Sequence, residues 1–175
     1  MLALLPLLVS AGWVALLTAT PLMPGWAGAA VYGLCAHICH QIPERSFHLA
    51  GFQLPVCARC LGIYLGVSGG VAYAWLRPIT GRAMLATPAR EFRRLAVMAA
   101  SPTVLTVALE AAGFWHPSNG TRALAGLPLG ILVGLVVMNA LVTRGLLPEN
   151  SLVLVPLETL FPRGIGRIIA MGLRR

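Results

Sequence analysis

Four runs of about twenty mostly apolar residues divide this chain, and each is long enough to cross the hydrocarbon core of a bilayer as an α-helix. The runs are Leu2 to Ala19, Cys57 to Leu76, Leu95 to Phe114 and Ala123 to Val142. Charged residues make up only 10% of the chain, against about 25% in average soluble domains. So few charges cannot cover a water-soluble surface. The sequence therefore predicts an all-α helical bundle embedded in a lipid bilayer.

The chain has 175 residues, and we expect residues 1–175 to form a single polytopic membrane domain. The apolar runs predict about four transmembrane helices. The shorter stretch Trp26 to Ile42 contains two histidines and predicts a helix that lies at the membrane interface. The tail from Ser151 contains Pro156, Pro162 and four arginines. It predicts a segment that lies along the membrane surface.

Arginine supplies all 13 basic residues, and the formal net charge is +8. In a soluble chain this charge would suggest nucleic acid binding. Here the arginines flank apolar runs, which indicates membrane topology and contacts with lipid phosphates instead, and no nucleic acid partner is expected. The loop Arg77–Arg94 and the tail from Ser151 hold nine of the arginines. The positive-inside rule places both in the cytoplasm, and the stretch from Cys39 to Cys60 on the outer side of an inner or plasma membrane.

Glycine recurs every four residues in two of the apolar runs, at Gly62, Gly66 and Gly70 and again at Gly126, Gly130 and Gly134. Small residues at this spacing let two helix backbones approach closely in lipid. The two runs are therefore predicted to pair through their glycine faces. At about 100° per residue, the first glycine face lies roughly opposite the face that carries Cys57 and Cys60.

Cysteine and histidine cluster in the stretch CHQIPERSFHLAGFQLPVCARC, which runs from Cys39 to Cys60. Tetrahedral zinc accepts three cysteines and one histidine, and a Cys-x-x-Cys pair is the usual half of such a site. The predicted zinc ligands are Cys39, His40, Cys57 and Cys60. Three other histidines could substitute for His40, namely His37, His48 and His116.

Two other chemistries use the same sulfur atoms. Arg59 lies between Cys57 and Cys60 and favours a thiolate, and Cys35 with Cys39 would supply a second pair of thiols. In this hypothesis Cys57, Cys60 and Cys39 are catalytic in a thiol–disulfide oxidoreductase that exchanges electrons with quinone. In a third hypothesis the cysteines form a structural disulfide that staples the outer loop of a non-enzymatic protein. The sequence leaves open which of these three hypotheses is correct. It therefore also leaves open whether the protein is an enzyme.

Three arginines are expected on the same outer side, namely Arg45, Arg59 and Arg122. Together they could hold the phosphate or carboxylate of an anionic lipid headgroup or of a small molecule. Glu110 lies about one turn from the outer end of its own run and is the natural partner of Arg122. The alternative for Glu110 and Arg122 is a structural ion pair. The alternative for the arginines is that their charged ends extend towards lipid phosphates.

Three motifs carry a resemblance to a known family: CHQIPERSF (39–47), VCARCLGIYLG (56–66) and PSNGTRALAGLPLG (117–130). They resemble a prokaryotic family of predicted membrane proteins catalogued as domain-of-unknown-function family 2085. The resemblance implies the membrane class and groups the motif residues together. It implies no reaction, because the family has no assigned function. Cys35 lies outside the family pattern, which weakens the hypothesis of two redox pairs.

Overall fold

The structure is a computed structural model that describes residues 4–76, 89–144 and 146–147 of the chain. Its α-helices are α1 (Leu5–Ala19), α2 (Gly25–Ala36), α3 (Ala58–Leu76), α4 (Ala89–Ala111) and α5 (Asn119–Thr143). One hairpin separates α2 from α3 and consists of β1 (His48–Leu49) and β2 (Phe52–Gln53). The part of the chain that the structure describes is therefore mostly helical, as predicted.

Three of the described helical segments are long and apolar enough to cross a membrane, namely Leu5–Leu22, Arg90–Ala111 and Asn119–Val142. The fourth expected span corresponds to α3. Within the described residues, α3 is not among the helices that are long and apolar enough to cross a membrane. Glycines, tyrosines and Arg59 interrupt the apolar residues of α3 and lower its hydropathy. Since α3 packs against both α1 and α5, protein covers much of its surface. A helix in that position needs fewer apolar side chains than one surrounded by lipid.

The contact between α3 and α5 is a contact of backbones, as the two glycine ladders predict. A Cβ atom built on Gly66 would overlap the carbonyl oxygen of Leu127, and one on Gly130 would overlap the carbonyl oxygen of Ile63. A Cβ atom on Gly126 would lie 2.6 Å from the carbonyl oxygen of Arg59. Only glycine fits such an approach, so the ladders set the distance between the two helices.

The other helices pack around this pair through side chains. The rings of Trp13 in α1 and Tyr64 in α3 meet edge to face, with centroids 6.0 Å apart. Thr103 Oγ1 in α4 donates a hydrogen bond to the carbonyl oxygen of Ala125 in α5 at 2.7 Å. α4 therefore lies against α5, and its last turn reaches the same end of the bundle as the first turn of α5.

α2 has 12 residues and is about 18 Å long at 1.5 Å per residue. This is shorter than the hydrocarbon core of about 30 Å, and the position of α2 at the membrane interface stays a prediction. The helix ends at Ala36 rather than at Ile42 as predicted, and the chain then turns at Gln41, which has a φ of 51°. The predicted surface segment from Ser151 and residues 77–88 of the arginine-rich loop lie outside the described residues.

Candidate metal and anion site

Gln41 holds together the two halves of the loop that carry the cysteines. Its side-chain Nε2 donates hydrogen bonds to the carbonyl oxygens of Tyr32 at 2.7 Å and Pro55 at 2.9 Å. Its left-handed backbone turns the chain immediately after Cys39 and His40. Sequence reasoning gave Gln41 no separate role, although its place in the CHQIPERSF motif was a signal for one.

Three thiols meet at the point where this loop joins α3. The Sγ atoms of Cys39, Cys57 and Cys60 all lie within 4.8 Å of one another. The backbone N–H of Cys57 donates a hydrogen bond to Cys39 Sγ at 3.1 Å. In tetrahedral zinc sites, bonds of about 2.3 Å place two sulfurs about 3.8 Å apart. A small contraction of this cluster would therefore accommodate one zinc ion.

The histidines lie outside this cluster in the part of the chain that the structure describes. His40 is exposed and lines the cavity next to the thiols. His37, His48 and His116 are exposed as well. Cys35 is fully buried one turn before Cys39 and is likewise not a member of the cluster. All four cysteines are free thiols in the described residues.

Cys57 precedes the first residue of α3, and its neighbours favour the ionised form of its thiol. The hydrogen bond from the Cys60 thiol lowers the pKa of Cys57 to about 5, in opposition to partial burial, which raises it. Further hydrogen bonds from backbone groups and from Cys39 act in the same direction as the Cys60 thiol. These hydrogen bonds favour the thiolate of Cys57, the form that binds metals and attacks disulfides.

Glu110 contacts all three predicted arginines. Its Oε1 lies 2.7 Å from Arg122 Nη2 and 3.0 Å from Arg45 Nε, and its Oε2 lies 3.3 Å from Arg59 Nη2. The predicted pair of Glu110 and Arg122 is therefore confirmed. The carboxylate and Arg122 are almost fully buried, whereas 44% of the Arg45 side chain is exposed.

Asn119 links this ion cluster to the loop. Its Nδ2 donates a hydrogen bond to the carbonyl oxygen of Ser46 at 2.9 Å, and its Oδ1 accepts one from Arg122 Nη1 at 2.8 Å. Ser118 caps α5, because its side-chain oxygen accepts a hydrogen bond from the backbone N–H of Thr121. Sequence reasoning did not predict that Asn119 positions Arg122, although its place one turn before that arginine was a local signal.

A cavity of about 330 Å³ opens between the thiols and the ion cluster. Its lining includes the three clustered cysteines, His40, Arg45, Arg59 and Arg122. Within the described residues, Arg59 Nε and Arg122 Nε are buried and have no hydrogen-bond partner. The cavity thus brings the three clustered cysteines, His40 and the three arginines together, and Glu110 joins them through its contacts with the arginines.

Comparisons with known proteins find relatives without an assigned activity. The family described as predicted membrane protein (DUF2085) matches residues 39–136, a range that contains every residue of the site. An uncharacterised protein of Methanothermobacter thermautotrophicus is 37% identical over 102 residues, which cover 58% of this chain and 84% of the relative. An uncharacterised protein of Methanocaldococcus jannaschii is 44% identical over 50 residues, which cover 28% of this chain and 32% of the relative. No solved structure matches.

Proposed function

This chain belongs to the DUF2085 family of predicted membrane proteins, and we propose that it binds one zinc ion beside an arginine-lined site for an anionic ligand or lipid headgroup. The observation that carries the metal site is the approach of three sulfur atoms to within 4.8 Å of one another. The arginine-lined site rests on the cavity that these thiols share with Arg45, Arg59 and Arg122.

The proposed ligands are the thiolates of Cys39, Cys57 and Cys60 and the imidazole of His40. Thiolate and imidazole ligands in a tetrahedral set favour zinc over hard cations such as Mg²⁺. The exposed His40 ring follows Cys39 directly. A rotation of its side chain towards the thiols, rather than a change of fold, would complete the set.

The metal would fix the arginines as well as the loop. Arg59 lies between two of the proposed ligands, and Arg45 follows His40 by five residues. A zinc ion that joins Cys39 to the start of α3 therefore holds both guanidinium groups near Glu110. This is a structural role for the metal, in which binding energy contributes to folding of the outer loop.

We further propose that α1, α3, α4 and α5 cross an inner or plasma membrane with the cysteine cluster on the outer side. α4 carries Arg90, Arg93 and Arg94 in its first turns and Glu110 in its last. The basic end of α4 is thus remote from the site, and the positive-inside rule places that end in the cytoplasm.

One observation favours a second candidate, a thiol–disulfide oxidoreductase. Three thiols lie within 4.8 Å of one another, and hydrogen bonds lower the pKa of Cys57 among them, an arrangement that supports disulfide chemistry. In this reaction Cys57 and Cys60 form a disulfide and give two electrons to a quinone, which takes one proton from the Cys60 thiol and one from water and becomes quinol. Cys39 would exchange disulfides with the pair.

Metal content and free-thiol count, measured together on protein purified in mild detergent without chelator, test these proposals. We expect about one zinc per chain, with the three clustered thiols alkylated only after chelation, and we expect His40→Ala to weaken zinc binding. No metal, together with thiols that appear only after reduction, would refute the zinc site. Reduction of quinone by the same protein would then identify the oxidoreductase, and an inert disulfide would identify a structural staple.

A further inference from the structure

We infer that the arginine-lined cavity binds a phosphomonoester, with Arg59 and Arg122 as the fixed donors and Arg45 as a movable one. This inference names the ligand class of the anion site and rests on that part of the proposed function. It rests on the charge balance of the cluster, on two buried donors without partners, and on the shape and lining of the cavity.

The charge balance of the cluster favours a further anion. Three guanidinium groups contact one carboxylate, that of Glu110. Zinc with three thiolates carries one net negative charge, so between one and two positive charges remain uncompensated with or without the metal. Buried charges without a counter-charge are costly. A phosphomonoester carries a charge of about −1.5 to −2 near pH 7 and balances this excess better than a carboxylate does.

The two arginines that carry the unsatisfied donors line the cavity. Arg122 is 7% exposed, lines the cavity, and uses its two terminal nitrogens on Asn119 and Glu110. Its Nε, like that of Arg59, has no partner in the described part of the chain. A buried N–H without a partner costs about 1–3 kcal/mol. These donors belong to two different helices, and the terminal oxygens of a phosphate point in several directions, so a small rotation of the two side chains would let one phosphate accept from both.

The position of the helices reinforces this assignment. Arg59 lies in the first turn of α3 and Arg122 in the first turn of α5. The N-terminal ends of helices carry a partial positive charge and favour phosphate. Both ends therefore add to the positive potential that the three arginines create.

Arg45 differs from the other two arginines in its exposure and its contact. It lies in the loop, 44% of its side chain is exposed, and its Nε shares Glu110 Oε1 with Arg122. Because Arg122 stays on that oxygen, Arg45 can leave Glu110 for a ligand without exposing the carboxylate. Ile38 and Ile42 also line the cavity, and they offer an apolar surface to the organic part of a monoester.

The test is binding of inorganic phosphate to the zinc-loaded full chain in nanodiscs of zwitterionic lipid, by equilibrium dialysis with labelled phosphate. We expect saturable binding that weakens at least tenfold in Arg45→Gln and in Arg59→Lys, which keeps the charge but removes the Nε donor. The matched control is Arg93→Gln, an exposed arginine in the first turns of α4, which we expect to bind phosphate as the wild type does. Both site variants should keep their zinc, because neither residue is a proposed ligand.

A second arm identifies the source of the phosphate. If the ligand is a lipid headgroup, phosphatidic acid in the nanodisc should displace the labelled phosphate. If the ligand is soluble, glycerol 3-phosphate should displace it and phosphatidic acid should not. Absence of saturable binding to wild type, or equal binding by wild type, Arg59→Lys and Arg45→Gln, would overturn the inference. Such a result with zinc still bound leaves the metal site intact, whereas loss of zinc from the wild type refutes the metal site separately.

Discussion

Glu110 Oε1 accepts a hydrogen bond from Arg122 Nη2 at 2.7 Å, and this contact ties the last turn of α4 to the first turn of α5. The same carboxylate contacts Arg59 at the start of α3 and Arg45 in the outer loop. One acidic side chain therefore joins four parts of the protein. Its neighbours are cationic, so its charge has a structural role in addition to any role in ligand binding.

Removal of the charge on Glu110 should destabilise the bundle. In Glu110→Gln the guanidinium groups of Arg122 and Arg59 lose their counter-charge in a poorly solvated place, and we expect a loss of about 3 kcal/mol in the free energy of unfolding. Thermal unfolding in detergent, followed by circular dichroism, measures the loss. Glu91→Gln, in the first turn of the same helix, is the matched control and should change stability little. An unchanged unfolding temperature in Glu110→Gln would show that the cluster is not structural.

The glycine contact between α3 and α5 allows a test on two glycines of α3, Gly66 and Gly69. The Cβ of Gly66→Ala would overlap the backbone of α5, whereas nothing lies within 4 Å of a Cβ on Gly69. We expect Gly66→Ala to cost about 2–3 kcal/mol through overpacking. Gly69→Ala should be neutral or stabilising by up to about 1 kcal/mol, because alanine favours helix. Denaturant titration of both variants measures the difference, and equal stabilities would contradict the backbone contact.

Variants of Cys35 and Cys39 distinguish a metal ligand from a thiol that is only buried. Both are buried one turn apart, but only Cys39 belongs to the thiol cluster. We expect Cys39→Ala to retain less than about a tenth of the wild-type zinc, since a site that loses a thiolate ligand binds far more weakly. Cys35→Ala should retain its zinc. Metal analysis of the two purified variants, with correct folding checked by circular dichroism, distinguishes them. Equal zinc in both would exclude Cys39 as a ligand.

Gln41 should affect metal affinity without touching the metal. Gln41→Gly removes the hydrogen bonds to Tyr32 and Pro55 and still permits the positive φ of this position. The loop that carries Cys39 and His40 then loses its link to the segment before Cys57. Groups that orient metal ligands typically contribute 10- to 100-fold in affinity, and we expect a loss within that range.

Competition with a chromophoric chelator measures the zinc affinity of Gln41→Gly. Gln53→Ala is the control for a neighbouring amide, since its side chain donates one longer hydrogen bond, to the carbonyl oxygen of Gln41 at 3.3 Å. A zinc affinity in Gln41→Gly equal to that of the wild type would show that the loop holds its shape without this side chain.

Local patterns were sufficient to predict the helices and one of their contacts. The apolar runs predicted segments that the structure forms as α1, α3, α4 and α5, because helix formation in lipid depends on the composition of a continuous stretch. The pairing of α3 with α5 followed from the spacing of Gly66 and Gly130 within their ladders. Hydropathy was less informative for α3, because a helix covered by protein need not be as apolar as one covered by lipid.

The sequence by itself determined the membrane class, the glycine pairing and the list of residues from which a site could form, because composition and periodicity are properties of short stretches. Only the tertiary structure decided that Cys39 joins Cys57 and Cys60 while His40 lies apart, and that Glu110 contacts three arginines. These contacts depend on the axial register of α3 against α5 and on the left-handed turn at Gln41. Both arise from packing between residues far apart in the chain, which no local pattern specifies.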